Sequence, residues 1–468
     1  MSDAAIIQAA VDRAKTAQTQ FESYTQTQVD ELVEGISYAG YRSAEVLAKL
    51  AYEHSGLGNY EDKVTKVQRK TMGTMMDLKH AKSVGVIDVD EERGVTTIAK
   101  PMGVIAALLP STNAGATPVN NIMITLKGRN AVILAPHPKG EAACVQAVQL
   151  ARETLNKLGA PEDLVQYVSL KGADKYEGKA RASALMAACD YALITAGPAN
   201  VDLGYRSGTP THGVGVGNAP VIIDESADLA DAIPKIVASK TFDNATSCSS
   251  ENSLVVLSSR YDETMDALKS EGGYLTDITE KVQLEAAMWP NGRLSRAVVA
   301  QPAARIAAEA NLTDAAAQNA KFIMVEEEGI GAAYPFSGEK LSVVLTVYKA
   351  DTFDEAVDKV TNILDYMGKG HSCGIHTENQ EHIEQLAHAA PVSTVLVNQP
   401  HCYNNGGGFD NGLDFTLSMG AGTWGDNDSC ENLTYKHFLN YTYLARPIPE
   451  HVPTVDELWG DYVMKHGA

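Results

Sequence analysis

Apolar side chains between residues 3 and 56 recur three and four positions apart, the spacing of one helix face. Ile6, Ile7, Ala10, Val11, Ala14 and Ala17 form a first stripe, with Ser2 placed to cap it. Val29, Leu32, Val33 and Ile36 form a second, and Val46, Leu47, Leu50 and Ala51 a third. Packing against a core is all that these stripes require. Over 83–99 the period changes. Val84, Val86 and Val89 alternate imperfectly with polar residues, Glu91-Glu92-Arg93-Gly94 reads as a turn, and Val95-Thr96-Thr97-Ile98-Ala99 reads as a second strand. This hairpin has little apolar surface of its own to bury, so it is expected to lean on another subunit.

From Pro101 onward, short apolar runs alternate with helical stripes. Strands are predicted at 104–109, 131–135, 165–168 and 191–194, and helices at 118–126, 141–158 and 179–188. That rhythm predicts a parallel, doubly wound sheet, in which ligands gather beyond the carboxyl ends of the strands. Asn113, His137 and Gly197 all fall in such loops. The G-x-G-x-x-G dinucleotide fingerprint is missing. Gly213-Val214-Gly215-Val216-Gly217-Asn218 reads equally as a close approach of backbone to a ligand or as a turn-rich connector. A helix over 227–240 and a strand over 253–257 flank Cys248. A second α/β unit follows, with strands at 254–257, 322–325, 343–348, 374–375 and 394–397 and helices at 261–270, 276–288, 301–308, 353–365 and 378–387. The tail over 436–447 is strand-like through Phe438, Leu439, Tyr441 and Tyr443.

Composition narrows the function classes. A net charge of −21 disfavours a nucleic-acid partner. No apolar run approaches the roughly 18 residues of a membrane span, and the N-terminus lacks the apolar core of a signal peptide. The six cysteines are dispersed with no C-x-x-C pair, so neither a disulfide framework nor a metal site is expected. The expected compartment is the reducing cytoplasm. Cys248 stands among small polar residues at the turn between two rigid elements. A nucleophilic thiolate needs such a place, and an ordinary buried cysteine fits it too.

The order of motifs along the chain resolves that choice. The chain resembles the coenzyme-A-acylating branch of the aldehyde dehydrogenase superfamily. The resemblance is carried by Glu61-Asp62-Lys63-Val64-x-Lys66, Pro101-Met102-Gly103-Val104-Ile105 with Pro110 and Asn113, and Asn130-Ala131 with Pro136-His137-Pro138. It continues through Gly213-Val214-Gly215-Val216-Gly217-Asn218-x-Pro220, Phe242-Asp243-Asn244 ahead of Cys248, and Glu251. Gly368-x-Gly370-His371-Ser372, Gly420-x-Gly422-x-Trp424-Gly425-x-Asn427, Glu431-Asn432 and Lys436-His437 complete it.

The resemblance implies an aldehyde dehydrogenase-like α/β fold: two Rossmann-like α/β domains plus an oligomerisation hairpin and strand. Residues 1–82 and 101–240 are expected to bind the nicotinamide cofactor and 241–435 to form the catalytic domain. Residues 83–100 and 436–468 are expected to join subunits into a homodimer or homotetramer. The implied chemistry is oxidation of an aldehyde by NAD or NADP through a thioester on Cys248, with Asn113 as oxyanion donor and coenzyme A as acyl acceptor. The glutamate base of the hydrolytic branch falls on Val214, and valine takes no proton. His371 is expected either to deprotonate the coenzyme A thiol or to hold the fold near the site. His137, Pro138, Thr195, Gly197, Gly215, Gly217 and Glu339 are the expected cofactor residues. The polar run around the cysteine resembles the sulfoacetaldehyde-oxidising variant of the branch, with Thr246, Ser247, Ser249 and Arg206 as candidate substrate contacts and Lys240 and His401 as further candidate cations. Acetaldehyde, propionaldehyde and succinate semialdehyde are the alternative substrates. A hydrolytic dehydrogenase and a non-catalytic binding protein on the same fold are the alternative functions.

Overall fold

In the computed structural model, which describes residues 2–172 and 174–467, the chain builds three sheets. Four helices come first: α1 (Asp3–Phe21), α2 (Gln26–Arg42), α3 (Ala44–Ser55) and α4 (Tyr60–Leu78). Ser2, Thr25 and Asn59 cap α1, α2 and α4 by accepting from the backbone three residues on. The fourth helix was not expected from the pattern. Its buried side includes Lys63, Lys66, Thr71 and Thr74, so it shows no apolar stripe to read.

A hairpin of β1 (Gly85–Asp90) and β2 (Val95–Pro101) follows. The first α/β unit is then laid down as β3 (Val104–Leu109), α5 (Ala116–Lys127), β4 (Ala131–Pro136), α6 (Glu141–Lys157), β5 (Val165–Tyr167), α7 (Lys175–Ala188), β6 (Tyr191–Thr195), α8 (Pro198–Tyr205) and β7 (Thr211–Val214). Its five strands are parallel in the order β5-β4-β3-β6-β7. β3 and β4 are buried along their whole length, as a parallel sheet covered on both faces requires.

The chain then crosses to a second parallel sheet. β8 (Ala219–Ile223), α9 (Leu229–Thr241), β9 (Glu251–Leu257), β10 (Gly273–Leu275), β11 (Phe322–Glu326), β12 (Val344–Ala350), β13 (Gly370–His376) and β14 (Val392–Val397) form it, its strands ordered β10-β11-β12-β9-β8-β13-β14. The crossover comes earlier than the expected boundary at 240/241. β8 pairs with β9 and β13, and Leu229, Ile233, Ile236 and Val237 of α9 pack in the second core, so residues 219–240 are built into the second unit. β8 escapes the sequence pattern because it is short and carries Pro220 at a register shift near its start, a position where a strand tolerates proline. The chain also returns: Leu417, Leu433 and Phe438 pack in the first core although they follow the second sheet.

β15 (Leu439–Ala445) pairs antiparallel with β2 to close the three-stranded sheet. That sheet stands largely exposed, with Val86, Val89 and Tyr443 in solvent. The final helix, Val455–His466, has no buried residue at all. Among the described residues, no helix is long and apolar enough to cross a membrane.

The two parallel sheets present opposite ends to each other. Site residues of the first follow the carboxyl ends of β3, β4 and β6. Those of the second precede or begin their strands: Cys248 before β9, Glu339 before β12 and His371 at the start of β13. The expectation of ligands beyond carboxyl ends therefore describes only half of the site.

Candidate active site

The turn leading to Cys248 is conformationally costly. Asp243, Asn244 and Ala245 have φ of 51°, 49° and 57°, three consecutive left-handed residues, none of them glycine. Such conformations cost of order 1–3 kcal/mol each and persist only when neighbours over-determine them. Here the neighbours come from the first unit. Lys66 Nζ donates to Asp243 Oδ2 at 2.5 Å and Lys63 Nζ donates to the same oxygen at 3.1 Å. Asn59 N–H donates to Asp243 Oδ1, and Asn244 Nδ2 donates to the Gly58 carbonyl. A Cβ on Gly58 would lie 1.8 Å from Asp243 Oδ1, so only glycine fits there. Burial opposes the charge on Asp243. The Lys66 and Lys63 ammoniums and the hydrogen bonds from Lys66 and Thr246 overcome it and hold the carboxyl below the ordinary aspartate range.

Lys66 also donates to Asn113 Oδ1 at 3.0 Å. Because the ammonium takes the carbonyl oxygen of that side chain, the amide NH2 is the end left to donate. His371 Nε2 lies 3.2 Å from Cys248 Sγ, and His371 Nδ1 lies 2.7 Å from Ser372 Oγ. Burial, with the nearby Glu339 carboxyl, pushes the Cys248 thiol up to about 12. Burial, with His401, brings His371 down to about 3. The resting pair is a neutral thiol facing a neutral imidazole. Burial also raises Glu339 to about 8, although its Oε1 accepts from Gly217 N–H at 3.2 Å.

Asn113, Cys248, His371 and Glu339 line one cavity of about 690 Å³ between the two sheets. Of the expected residues, Cys248, Asn113, His371, His137, Pro138, Thr195, Gly197, Gly215, Glu339, Thr246, Ser247 and Ser249 all reach its wall. Two do not. Gly217 backs the nucleophile instead: a Cβ there would lie 2.2 Å from the Cys248 carbonyl oxygen. Arg206 is exposed at the end of α8 and pairs with Asp202 one turn earlier, so the substrate-contact assignment is corrected. Thr246 and Ser249 reach the wall with their hydroxyls already engaged. Thr246 bonds Asp243 and Lys66, and Ser249 lies between Asn405 and the Met419 sulfur. Lys240 and His401 are buried away from the cavity wall, with His401 Nδ1 on the Ser249 carbonyl.

The cavity has the form a dinucleotide needs. Gly197 and Gly215 have nothing within 4 Å of where a Cβ would stand, leaving open space beside backbone. Lys171, Lys179 and Arg296 stand exposed around the mouth and suit phosphates. Val214, at the end of β7, puts an isopropyl group on the wall. The sequence pattern pointed to neither Arg296 nor the lysine ladder of α4. The only sign of the ladder was the motif Glu61–Lys66, which named residues without a role.

The chain matches the aldehyde dehydrogenase family model over residues 1–276. It is 46% identical to the sulfoacetaldehyde dehydrogenase (acylating) of Cupriavidus necator over 98% of this chain and 93% of that one. An acetylating aldehyde dehydrogenase from Geobacillus thermoglucosidasius superposes with a TM-score of 0.91 at 32% identity, covering 97% of this chain and 98% of that one. A propionaldehyde dehydrogenase from Rhodopseudomonas palustris with bound propionyl-CoA superposes with a TM-score of 0.83 at 25% identity, covering 94% of each chain.

Proposed function

Because the chain belongs to the aldehyde dehydrogenase family, we propose that it oxidises sulfoacetaldehyde with a nicotinamide dinucleotide and passes the acyl group to coenzyme A. It is an acylating aldehyde dehydrogenase, an oxidoreductase acting on aldehydes and using NAD(P) and coenzyme A. The observation that carries the mechanism is the 3.2 Å approach of His371 Nε2 to Cys248 Sγ in a cavity whose wall offers valine at position 214.

In this reading His371 takes the thiol proton through Nε2 while its Nδ1–H is held by Ser372 Oγ. The sulfur attacks the aldehyde carbon. The oxyanion faces the Asn113 amide and the Cys248 backbone N–H, each such donor being worth about 2.7–4 kcal/mol. The dinucleotide, when bound, supplies the hydride acceptor. Loss of hydride from the thiohemiacetal leaves a thioester on Cys248. Val214 cannot activate water, so the thioester persists until the thiol of coenzyme A attacks it. Once the first proton has passed from His371 to solvent, the neutral imidazole can take the coenzyme A thiol proton and hand it to the Cys248 sulfur as the thioester transfers, which restores the resting thiol. His137, Pro138, Thr195, Gly197, Gly215 and Glu339 are the residues that would hold the dinucleotide, with Glu339 as the one that would hydrogen-bond its nicotinamide ribose.

The unit on the five-stranded sheet then serves the cofactor and the unit on the seven-stranded sheet the nucleophile. The exposed three-stranded sheet, with Tyr441 and Tyr443 in solvent, and the final helix, with Leu458 and Trp459 in solvent, support assembly as a homodimer or homotetramer. Light scattering that returned the monomer mass would remove that assembly. The dispersed free cysteines suit a reducing cytoplasm. The test of function follows nicotinamide absorbance and thioester formation together. Without coenzyme A, sulfoacetaldehyde should yield about one reduced dinucleotide per site and then stop. Full turnover in that experiment would overturn the acylating reading.

A further inference from the structure

The cation missing from the sequence around Cys248 is supplied by α4. Lys66, Arg69 and Lys70 stand three and four positions apart on one face of that helix. They line a small inner recess with Asn113, Ser247 and Cys402. Their circumstances differ. Lys66 is spent on Asp243 and Asn113. Arg69 lies flat over the rings of Tyr403 and Phe409, 5.4 and 5.0 Å from their centroids. Lys70 donates only to backbone carbonyls, of Gly406 at 2.5 Å and Gly407 at 3.4 Å, with its ammonium 5.4 Å from the Phe415 ring centroid. Among the described residues no carboxylate lies within the 4.0 Å of an ion pair with it. Asp77, the acid that acts on it at longer range, accepts from Phe415 N–H.

An ammonium has three donors and needs a counter-charge when it leaves water. Among the described residues Lys70 has two carbonyl partners and no carboxylate in ion-pair contact, and it lines the main cavity with Ser247, Cys248 and Asn113. Burial lowers it to about 8, which leaves it mostly charged at neutral pH. A bound anion would complete its hydrogen bonding and raise it again. Sulfoacetaldehyde carries its sulfonate on the carbon next to the aldehyde carbon. When that carbon meets Cys248, the anion is confined to the neighbourhood of the nucleophile, where this recess opens.

We propose that Lys70 binds the anionic group of the substrate and sets the preference of the enzyme for an α-sulfonated aldehyde over a neutral one, with Ser247 as the neighbouring hydroxyl donor. This rests on the reading of the protein as a sulfoacetaldehyde dehydrogenase, and it deepens that reading by naming the group that selects the substrate.

The test compares kcat/KM for sulfoacetaldehyde with that for 3,3-dimethylbutanal, a neutral aldehyde with a tetrahedral tert-butyl group where the sulfonate stands. Both are measured with saturating NAD(P) and coenzyme A. In Lys70→Gln the ratio should fall by about 10- to 100-fold, the range to which loss of one hydrogen bond to a charged group converts. Lys70→Arg should keep most of the ratio. An unchanged ratio in Lys70→Gln, or an equal loss on both substrates, overturns the proposal. Ethanesulfonate should also inhibit 3,3-dimethylbutanal oxidation by the wild-type enzyme competitively, a readout independent of how the variants fold, and absence of inhibition counts against the site. Succinate semialdehyde separates the two layers. If the wild type prefers it to sulfoacetaldehyde and Lys70→Gln erases that preference, Lys70 stands as the anion site and the substrate reading falls. If the wild type prefers the neutral aldehyde to both, the anion site itself falls.

Discussion

Lys66 and Asp243 meet at 2.5 Å across the seam between the two α/β units. Residues far apart in the chain thereby fix the left-handed turn that carries Cys248, and the same ammonium orients Asn113. Cys248 and Asn113 are referenced to one buried charge pair.

Removing one partner of that pair should be costly. Asp243→Asn leaves Lys63 and Lys66 buried without a counter-charge, and about 3–5 kcal/mol of stability should be lost. Denaturant melts measure it. Lys66→Met should lower kcat more than it raises KM, because it frees the Asn113 amide to turn. The double variant should cost less than the sum of the two single ones, since it leaves no unpaired charge on Asp243 and Lys66. Strict additivity would dissolve the link between the two residues.

The pH dependence of Cys248 should be one-sided. With the thiol pushed up to about 12 and His371 down to about 3, neither group gains or loses a proton in the free enzyme near neutrality. Alkylation of Cys248 by iodoacetamide should climb steadily from about pH 7 to pH 10 without a plateau. His371→Gln should slow it by roughly 10- to 100-fold by removing the proton acceptor. A plateau near neutrality would show a thiolate–imidazolium pair instead.

Val214→Glu should convert part of the turnover to hydrolysis. Val214 is 5% exposed at the cavity wall, so a carboxyl there would be desolvated, with its pKa raised toward neutrality, where a general base works best. Dinucleotide reduction in the absence of coenzyme A should rise several-fold over the wild type. Acid formation, followed by titration, checks it.

Glu339 should make stability fall as pH rises. Its folded value of about 8 exceeds its unfolded value of about 4.3. Between the two, the native state holds a proton that the unfolded chain has released, so raising pH through this window favours unfolding. Glu339→Gln abolishes the linkage. The variant's stability should stay level between about pH 5 and pH 8, where that of the wild type falls, while its KM for the dinucleotide rises.

Local pattern along the chain determined a good deal. The stripes of α1 to α3, the hairpin turn at Glu91–Gly94 and the buried runs of β3 and β4 follow from the spacing of apolar residues, because their burial is decided within one turn or one pleat. Motif order pointed to the family and, with it, to Cys248, Asn113 and the valine at 214. Tertiary structure decided how these residues meet. Whether β8 joined the first sheet or the second was decided by its pairing on both sides, with β9 and with β13, which comes far later in the chain. Arg206 and Lys70 are both cations without a diagnostic neighbour in sequence. One ended on an exposed helix end with Asp202, the other on the wall of the cavity that also holds Ser247 and Cys248. Lys63, Lys66 and Asp243 carry no periodic signal either, since a buried charge is stabilised by its partner and not by its spacing. That partner comes from the other sheet, and only the path of the chain through three dimensions brings them together.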